Sequence, residues 1–139
     1  MDFSVQHWMV DMIVFIDPES TVEEALAMMR RRYIHSLIVK KTSPDDDYGI
    51  ITSTDISDKI IAEEVNPCDI KVKDIMHKPL ITIEKGKSLK DCAKLMKKHH
   101  IHHLPVIDEK NVLIGMISAT DFLVVAEGIA YNFQDRTLN

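Results

Sequence analysis

The residues of this chain that could do chemistry are gathered in a seven-residue motif that occurs twice. Gly115-Met116-Ile117-Ser118-Ala119-Thr120-Asp121 has an earlier copy in Gly49-Ile50-Ile51-Thr52-Ser53-Thr54-Asp55. Each reads as glycine, two apolar residues, a hydroxyl residue, a variable position, then Thr-Asp ahead of an apolar helical run. A strand that ends in hydroxyls and meets a carboxylate at a helix start suits a polar ligand. The first turn of a helix leaves backbone N–H groups unpaired and carries the positive end of the dipole, which favours phosphate. An aspartate there accepts hydrogen bonds from a sugar diol or caps the helix. For a single copy, Thr54 or Thr120 acting as an ordinary N-cap accounts for the pattern. Two copies at matching places in a repeat favour a ligand.

The motifs sit inside a longer duplication. Aligning Met29 with Met96 gives an offset of 67 residues (96 − 29). At that offset Val5 meets Val72, Met9 meets Met76, Ile16 meets Ile83, and Thr21 meets Ser88. The run Ile34-His35-x-Leu37-x-Val39 likewise meets Ile101-His102-x-Leu104-x-Val106. The glycine motifs pair at an offset of 66 (115 − 49), so the connecting loops differ by one residue. One shift that recovers so many identities marks an internal repeat, which is recognised before any fold is assigned. We divide the chain into a first repeat over residues 1–66 and a second over residues 67–139, joined at Asn66-Pro67-Cys68-Asp69.

Periodicity orders each repeat as strand, helix, strand, strand, helix, behind a lead-in segment. The first half is expected to hold a strand at Val14–Ile16, a helix over 21–32, strands over 35–40 and 48–52, and a helix over 55–64. The second is expected to hold a strand at Leu80–Ile83, a helix opened by Ser88, strands over 102–107 and 112–117, and a last helix opened by Thr120 or Asp121. That helix is expected to pass Ala130, with its final polar residues frayed. Thr21 to Glu24 and Ser88 to Asp91 have the spacing of a capping box. Leu89, Cys92, Ala93 and Met96 are expected to form the buried face of their helix. Two helices cover only one face of a three-stranded sheet, and the other face is expected to be buried by the second half.

Composition narrows the function classes. With 139 residues, 45% hydrophobic and 28% charged, the chain is of globular type. A net charge of −5, with no basic stripe, argues against a nucleic-acid partner. No apolar run approaches the ~20 residues of a membrane helix, and no signal pattern opens the chain. Cys68 and Cys92 lack metal or redox spacing, which points to a reduced, cytoplasmic setting. His99, His100, His102 and His103 invite a Zn²⁺ reading. The first pair ends a helix and the second begins a strand, so the four should point apart, and no metal is assigned. No nucleophile–base or paired-carboxylate spacing supports catalysis, and no enzyme activity is expected.

The chain resembles a tandem pair of CBS domains, a Bateman module. The resemblance is carried by Lys73-Asp74-Ile75-Met76, Pro79-Leu80-Ile81-Thr82, Ser88-Leu89 with Leu95-Met96, His102-His103-Leu104-Pro105-Val106, and the motif Gly115–Asp121. The first half keeps Ile34-His35 and Gly49–Asp55, with Ser36 for the second histidine, Ile38 for the proline and Phe15 in the place of Thr82. The resemblance implies an α+β fold of two tandem β-α-β-β-α CBS repeats packed through their small sheets with pseudo-two-fold symmetry. It implies a regulatory module that binds adenosine derivatives in clefts between the halves. Asp55 and Asp121 would take the ribose hydroxyls. Thr52, Thr54, Ser118 and Thr120 would line ribose and phosphate. The first strands, around Ile16 and around Thr82 and Ile83, would frame the adenine. His35, His102 and His103, with Pro105 in the same strand, would complete the clefts. His102-His103 is similar to the basic pair that contacts phosphate in the gamma subunit of AMP-activated kinase.

Because few lysines or arginines lie near the motifs, AMP or ADP is favoured over ATP, with S-adenosylmethionine a further member of the class. With Ser36 replacing a histidine, the two clefts are expected to differ in affinity. The family implies a homodimer in which the helices after Asp55 and Asp121 meet a partner's. No catalytic or transmembrane domain is expected in the chain, and its output is expected to pass to a separate effector protein. The alternative is a ligand-free interaction or dimerisation module in which Asp55 and Asp121 serve only as caps.

Overall fold

A computed structural model describes residues 2–138, with side chains described through residue 131. The chain is a mixture of helices and two three-stranded sheets, and it gathers into two compact units. One unit is Ile13–Ile81; the other combines Met1–Met12 with Thr82–Asn139. The units are thus cut at different places from the sequence repeats.

In the unit Ile13–Ile81, strands β1 (Phe15–Ile16), β2 (Ser36–Val39) and β3 (Gly49–Thr52) form a sheet in the order β1-β2-β3. β1 runs parallel to β2, with Ile16 opposite Val39, and β2 is antiparallel to β3, with Leu37 opposite Ile51. Helix α1 (Val22–Arg32) supplies the crossover between the parallel strands. Its cap is the expected one: Thr21 Oγ1 accepts from the Glu24 N–H at 3.2 Å. The helix ends at Tyr33 in the left-handed conformation, behind a last turn of Arg30, Arg31 and Arg32 that complements the dipole. Its buried face is Val22, Ala25 and Met29. These pack with Ile16, Leu37, Val39, Ile51 and Ile60, and with Val72 and Ile75 from the second repeat.

Val72 and Ile75 belong to a lead-in that crosses over. After a turn of 3₁₀ helix at Pro67–Asp69 the chain forms a single α turn, Val72–Ile75. The Val22 N–H donates to Ile70 O, the Val72 N–H to Ser20 O and the Lys73 N–H to Pro18 O, at 2.8–3.0 Å. His77 and Ile50 then exchange two backbone hydrogen bonds (2.8 and 2.9 Å), which extend the sheet along β3.

The second unit repeats the plan with the opposite exchange. Strands β4 (Ile83–Glu84), β5 (His103–Ile107) and β6 (Leu113–Ser118) form a sheet in the order β4-β5-β6, parallel then antiparallel. Helix α2 (Leu89–His99) is capped by Ser88, whose Oγ accepts from the Asp91 N–H at 3.1 Å. It buries Leu89, Cys92 and Met96, whereas Ala93, expected on that face, is exposed. The lead-in here is the N-terminal segment. The Val5 N–H donates to Lys87 O and the Leu89 N–H to Phe3 O, and Val10 exchanges two backbone bonds with Met116. Val5 and Val72, matched in the alignment, are both fully buried.

Most strand bounds lie within one residue of the sequence expectations, and the larger differences are at the first strands and at the helix after Gly49–Thr52. β1 and β4 are two residues each, shorter than the apolar runs around them. The helix expected over 55–64 starts earlier, at Ser53–Ile56, and continues as a wider π turn, Ser57–Ile61, closed by the Ala62 N–H on Ser57 O at 3.0 Å. The last helix begins at Asp121, as expected, and runs to Leu138, past Ala130. Fraying of its polar end concerns side chains outside the described ones.

Candidate functional site

Both motifs build the same loop by the same hydrogen bonds. A strand leaving its sheet exposes its last N–H groups, and an acceptor three residues on satisfies them. In the second unit this acceptor is Asp121: its Oδ2 accepts from the Ser118 N–H at 2.8 Å and from Ser118 Oγ at 3.2 Å. In the first it is Asp55, whose Oδ2 accepts from the Thr52 N–H at 2.9 Å and from Thr52 Oγ1 at 3.3 Å. The variable residue ties each loop to the neighbouring strand. The Ala119 N–H donates to His102 O at 2.9 Å, and the Ser53 N–H to His35 O at 3.0 Å.

This geometry corrects the cap reading for the first half. Thr54 lies inside the helical turn Ser53–Ile56, and Thr52 stands at the cap position. The turn opens there because Ser53 O already accepts the Ser57 N–H. Thr120 precedes the helix start, and its Oγ1 lies 2.7 Å from Ser118 Oγ. Three of the proposed ligand residues, Ser118, Thr120 and Asp121, therefore form one connected polar group.

The other sequence candidates fall around these loops. His103 lies opposite Ser118 in the β5–β6 register and Pro105 lies opposite Met116. His102 and His35 are exposed at their strand starts, with their carbonyls holding the loops. Ile83 is buried in β4 and Thr82 precedes it; Ile16 is buried in β1. Among the described residues no group of three or more His, Cys, Asp or Glu is placed to hold a metal ion.

The two carboxylates have different surroundings. Asp55 is 2% exposed, and its Oδ1 lies 2.5 Å from His77 Nε2 and 3.4 Å from Lys59 Nζ. Lys59 Nζ also donates to Ile75 O at 2.7 Å and lies 3.4 Å from His77 Nε2. Asp121 is half-buried, and among the described residues no partner takes its Oδ1. Its charge acts inward as well: burial first, and then the Asp121 carboxylate, push the Cys92 thiol up to about 11. Lys59 and His77 escaped the sequence reasoning. Lys59 was legible in part, since it stands four residues beyond Asp55 on a helical run. His77 had no local signal, because it reaches Asp55 only through the crossed lead-in.

The CBS domain family matches this chain twice, over residues 5–62 and 72–128. The chain belongs to that family. It carries two CBS domains in tandem, as the repeat implied. Among its relatives, an uncharacterized protein of Methanopyrus kandleri is 33% identical over 108 residues, covering 78% of this chain and 55% of the relative. The inosine-5′-monophosphate dehydrogenase of Methanocaldococcus jannaschii is 32% identical over 111 residues, covering 80% of this chain and 21% of that enzyme. The chain thus spans about half the length, or less, of these relatives. Among solved structures, the hexameric CBS-CP12 protein from bloom-forming cyanobacteria has a TM-score of 0.82 at 32% identity, covering 88% of this chain and 70% of that one. A CBS domain pair crystallised with 5′-methylthioadenosine and S-adenosyl-L-methionine has a TM-score of 0.76 at 22% identity, covering 90% and 96%. The latter likeness is one of fold.

Proposed function

We propose that this CBS pair is a regulatory module that senses an adenosine derivative, AMP or ADP above ATP or S-adenosylmethionine, and is not itself an enzyme. The observation that carries the reading is the Ser118-Thr120-Asp121 group. One oxygen of Asp121 is held by the loop's own N–H and hydroxyl, which fixes the carboxylate's direction. Among the described residues nothing takes the other oxygen, an acceptor for a ribose diol beside the Ser118 and Thr120 hydroxyls. His102, His103 and Pro105 on β5, with Thr82 and Ile83 at β4, belong to the same unit and complete the proposed binding set. Asp55, Thr52, Thr54, His35 and Ile16 are their counterparts in the other unit. The family supports the adenosine class, and the absence of lysine and arginine from Val112 to Tyr131 in the sequence supports a ligand with few phosphates.

Binding regulates by differential affinity: the ligand shifts a partner-bound or dimeric arrangement by no more than the difference in its affinity for the two states. A separate effector protein receives the signal, and the module acts in the cytoplasm, a setting consistent with its two free cysteines. No helix among the described residues is long and apolar enough to cross a membrane.

A second reading, a ligand-free interaction or homodimer module, is favoured by one specific observation. Ile61 on the turn after Asp55, and Leu123, Val124 and Tyr131 on the helix after Asp121, are 59–70% exposed. Calorimetric titration of the protein with AMP, ADP, ATP and S-adenosylmethionine separates the two. Micromolar binding of one or two of them supports the sensor. Absence of heat and of any thermal shift with all four leaves the interaction module.

A further inference from the structure

Resting on that reading, we infer that the two motifs are not equivalent: Lys59 and His77 occupy the Asp55 carboxylate, and the chain binds one adenosine ligand, at Asp121. At the motif level the two loops are alike, since Asp55 and Asp121 each take an N–H and a hydroxyl three residues upstream. They differ in what meets the second oxygen. Oδ1 of Asp55 faces both a lysine ammonium and an imidazole, and the side chain is 2% exposed. The offsets that align the repeats put Val125 in the place of Lys59 (59 + 66) and Val10 in the place of His77 (77 − 67). Neither valine can pair a charge. Val125 is buried and Val10 is 47% exposed, so the second unit presents a hydrocarbon wall and an uncharged edge at those positions.

A ribose diol reaching Asp55 must displace both groups. Its hydroxyls are neutral donors that bring no counter-charge, whereas Lys59 sets an opposite charge 3.4 Å from the carboxylate. Displacement also separates Lys59 from the Ile75 carbonyl that it reaches at 2.7 Å. Among the described residues no such pair of groups meets a ligand at Asp121 Oδ1. Lys59 and His77 are therefore specificity-determining residues for the number of sites. They also tie Asp55, in the first repeat, to the lead-in of the second.

The test is calorimetric stoichiometry with AMP, ADP and S-adenosylmethionine on the wild type, on Lys59→Val/His77→Val, and on Asp121→Asn in each background. The wild type is expected to bind one ligand per chain, and Asp121→Asn to weaken that binding tenfold or more. The double valine variant is expected to bind two, one of them weakened likewise by Asp121→Asn. Two ligands per wild-type chain, or a site whose affinity Asp121→Asn leaves unchanged, overturns the inference and leaves the sensor reading standing. No binding to any variant overturns both. Should the double variant not fold, the wild-type stoichiometry and the weakening in Asp121→Asn decide the matter alone. A ligand-free double-mutant cycle between Asp55→Asn and His77→Gln reads the pairing itself: a coupling of about threefold or more in the unfolding constant supports it, and additivity overturns it.

Discussion

Nε2 of His77 lies 2.5 Å from Oδ1 of Asp55, joining the lead-in of the second repeat to the glycine motif of the first. Asp55 is thereby a structural carboxylate as well as a motif residue. Asp55→Ala removes the acceptor of the Thr52 N–H and the counter-charge of Lys59 together. The expected loss of stability is about 1.5–3 kcal/mol, the range for hydrogen bonds to charged groups. Lys59→Met should cost less, within about 1 kcal/mol, because Lys59 is 37% exposed and its pair is screened. Urea unfolding at constant slope reads both, and an unchanged midpoint for Asp55→Ala would contradict the role assigned to it.

Asp121→Ala should act on binding. Losing one charged acceptor is expected to weaken adenosine-ligand affinity by about 1.5–3 kcal/mol. Titration calorimetry measures it, and affinity unchanged within error removes Asp121 from the site.

The motif glycines have a steric reason. A Cβ on Gly115 would stand 2.7 Å from the carbonyl oxygen of Val10 and 2.8 Å from Met9 Sδ. On Gly49 the nearest atom is Met76 Sδ at 2.8 Å, with His77 O at 3.2 Å. A thioether can swing aside and a hydrogen-bonded backbone cannot. Gly115→Ala should therefore destabilise by about 1–3 kcal/mol, and Gly49→Ala by less. Thermal melts of the two variants check the order, and equal melting temperatures would refute the backbone argument.

Glu19 predicts a pH dependence. Hydrogen bonds from Lys71 and Lys73, both at 2.7 Å, lower its carboxyl from the ordinary 4.5 to about 2. The folded pKa is below the unfolded one, so the contribution is complete above about pH 4.5 and is lost as pH falls through about 2. Glu19→Gln should therefore lower the melting temperature slightly at pH 7, less in high salt, and progressively less as pH falls from 4.5 through about 2. A difference from wild type that does not shrink over that range would show another cause.

The thiols offer a contrast of exposure. Cys92 is buried, with its ionisation held up to about 11, while Cys68 is exposed and bonded to Glu23 Oε2 at 2.9 Å. A thiol reagent at pH 8 should modify Cys68 in the folded protein and reach Cys92 only on unfolding. Equal rates in mass spectrometry would contradict the buried placement of Cys92.

Much of this architecture was legible from local signals. The capping residues Thr21 and Ser88, the buried spacing of Val22, Ala25 and Met29, and the order of strands and helices depend on neighbours a few residues apart. The duplication showed that whatever one half builds, the other builds again. Ala93 and the early start of the helix at Ser53 mark the limit of such signals, because a helix face and a helix end each depend on what lies opposite.

By itself the sequence determined the two repeats, their elements and the pair of aspartates, since periodicity, caps and motif identity are short-range properties. Only the tertiary structure decided which lead-in joins which sheet. Val5 and Val72 are equivalent by alignment, and either would fill either site; the crossing is set by backbone hydrogen bonds between segments distant along the chain. The same crossing decides the chemistry of the motifs. It carries His77 to Asp55 and Val10 to the strand of Asp121, so that two copies of one motif differ in their partners. Burial and partnership are properties of what surrounds a carboxylate, and part of those surroundings comes from the other repeat.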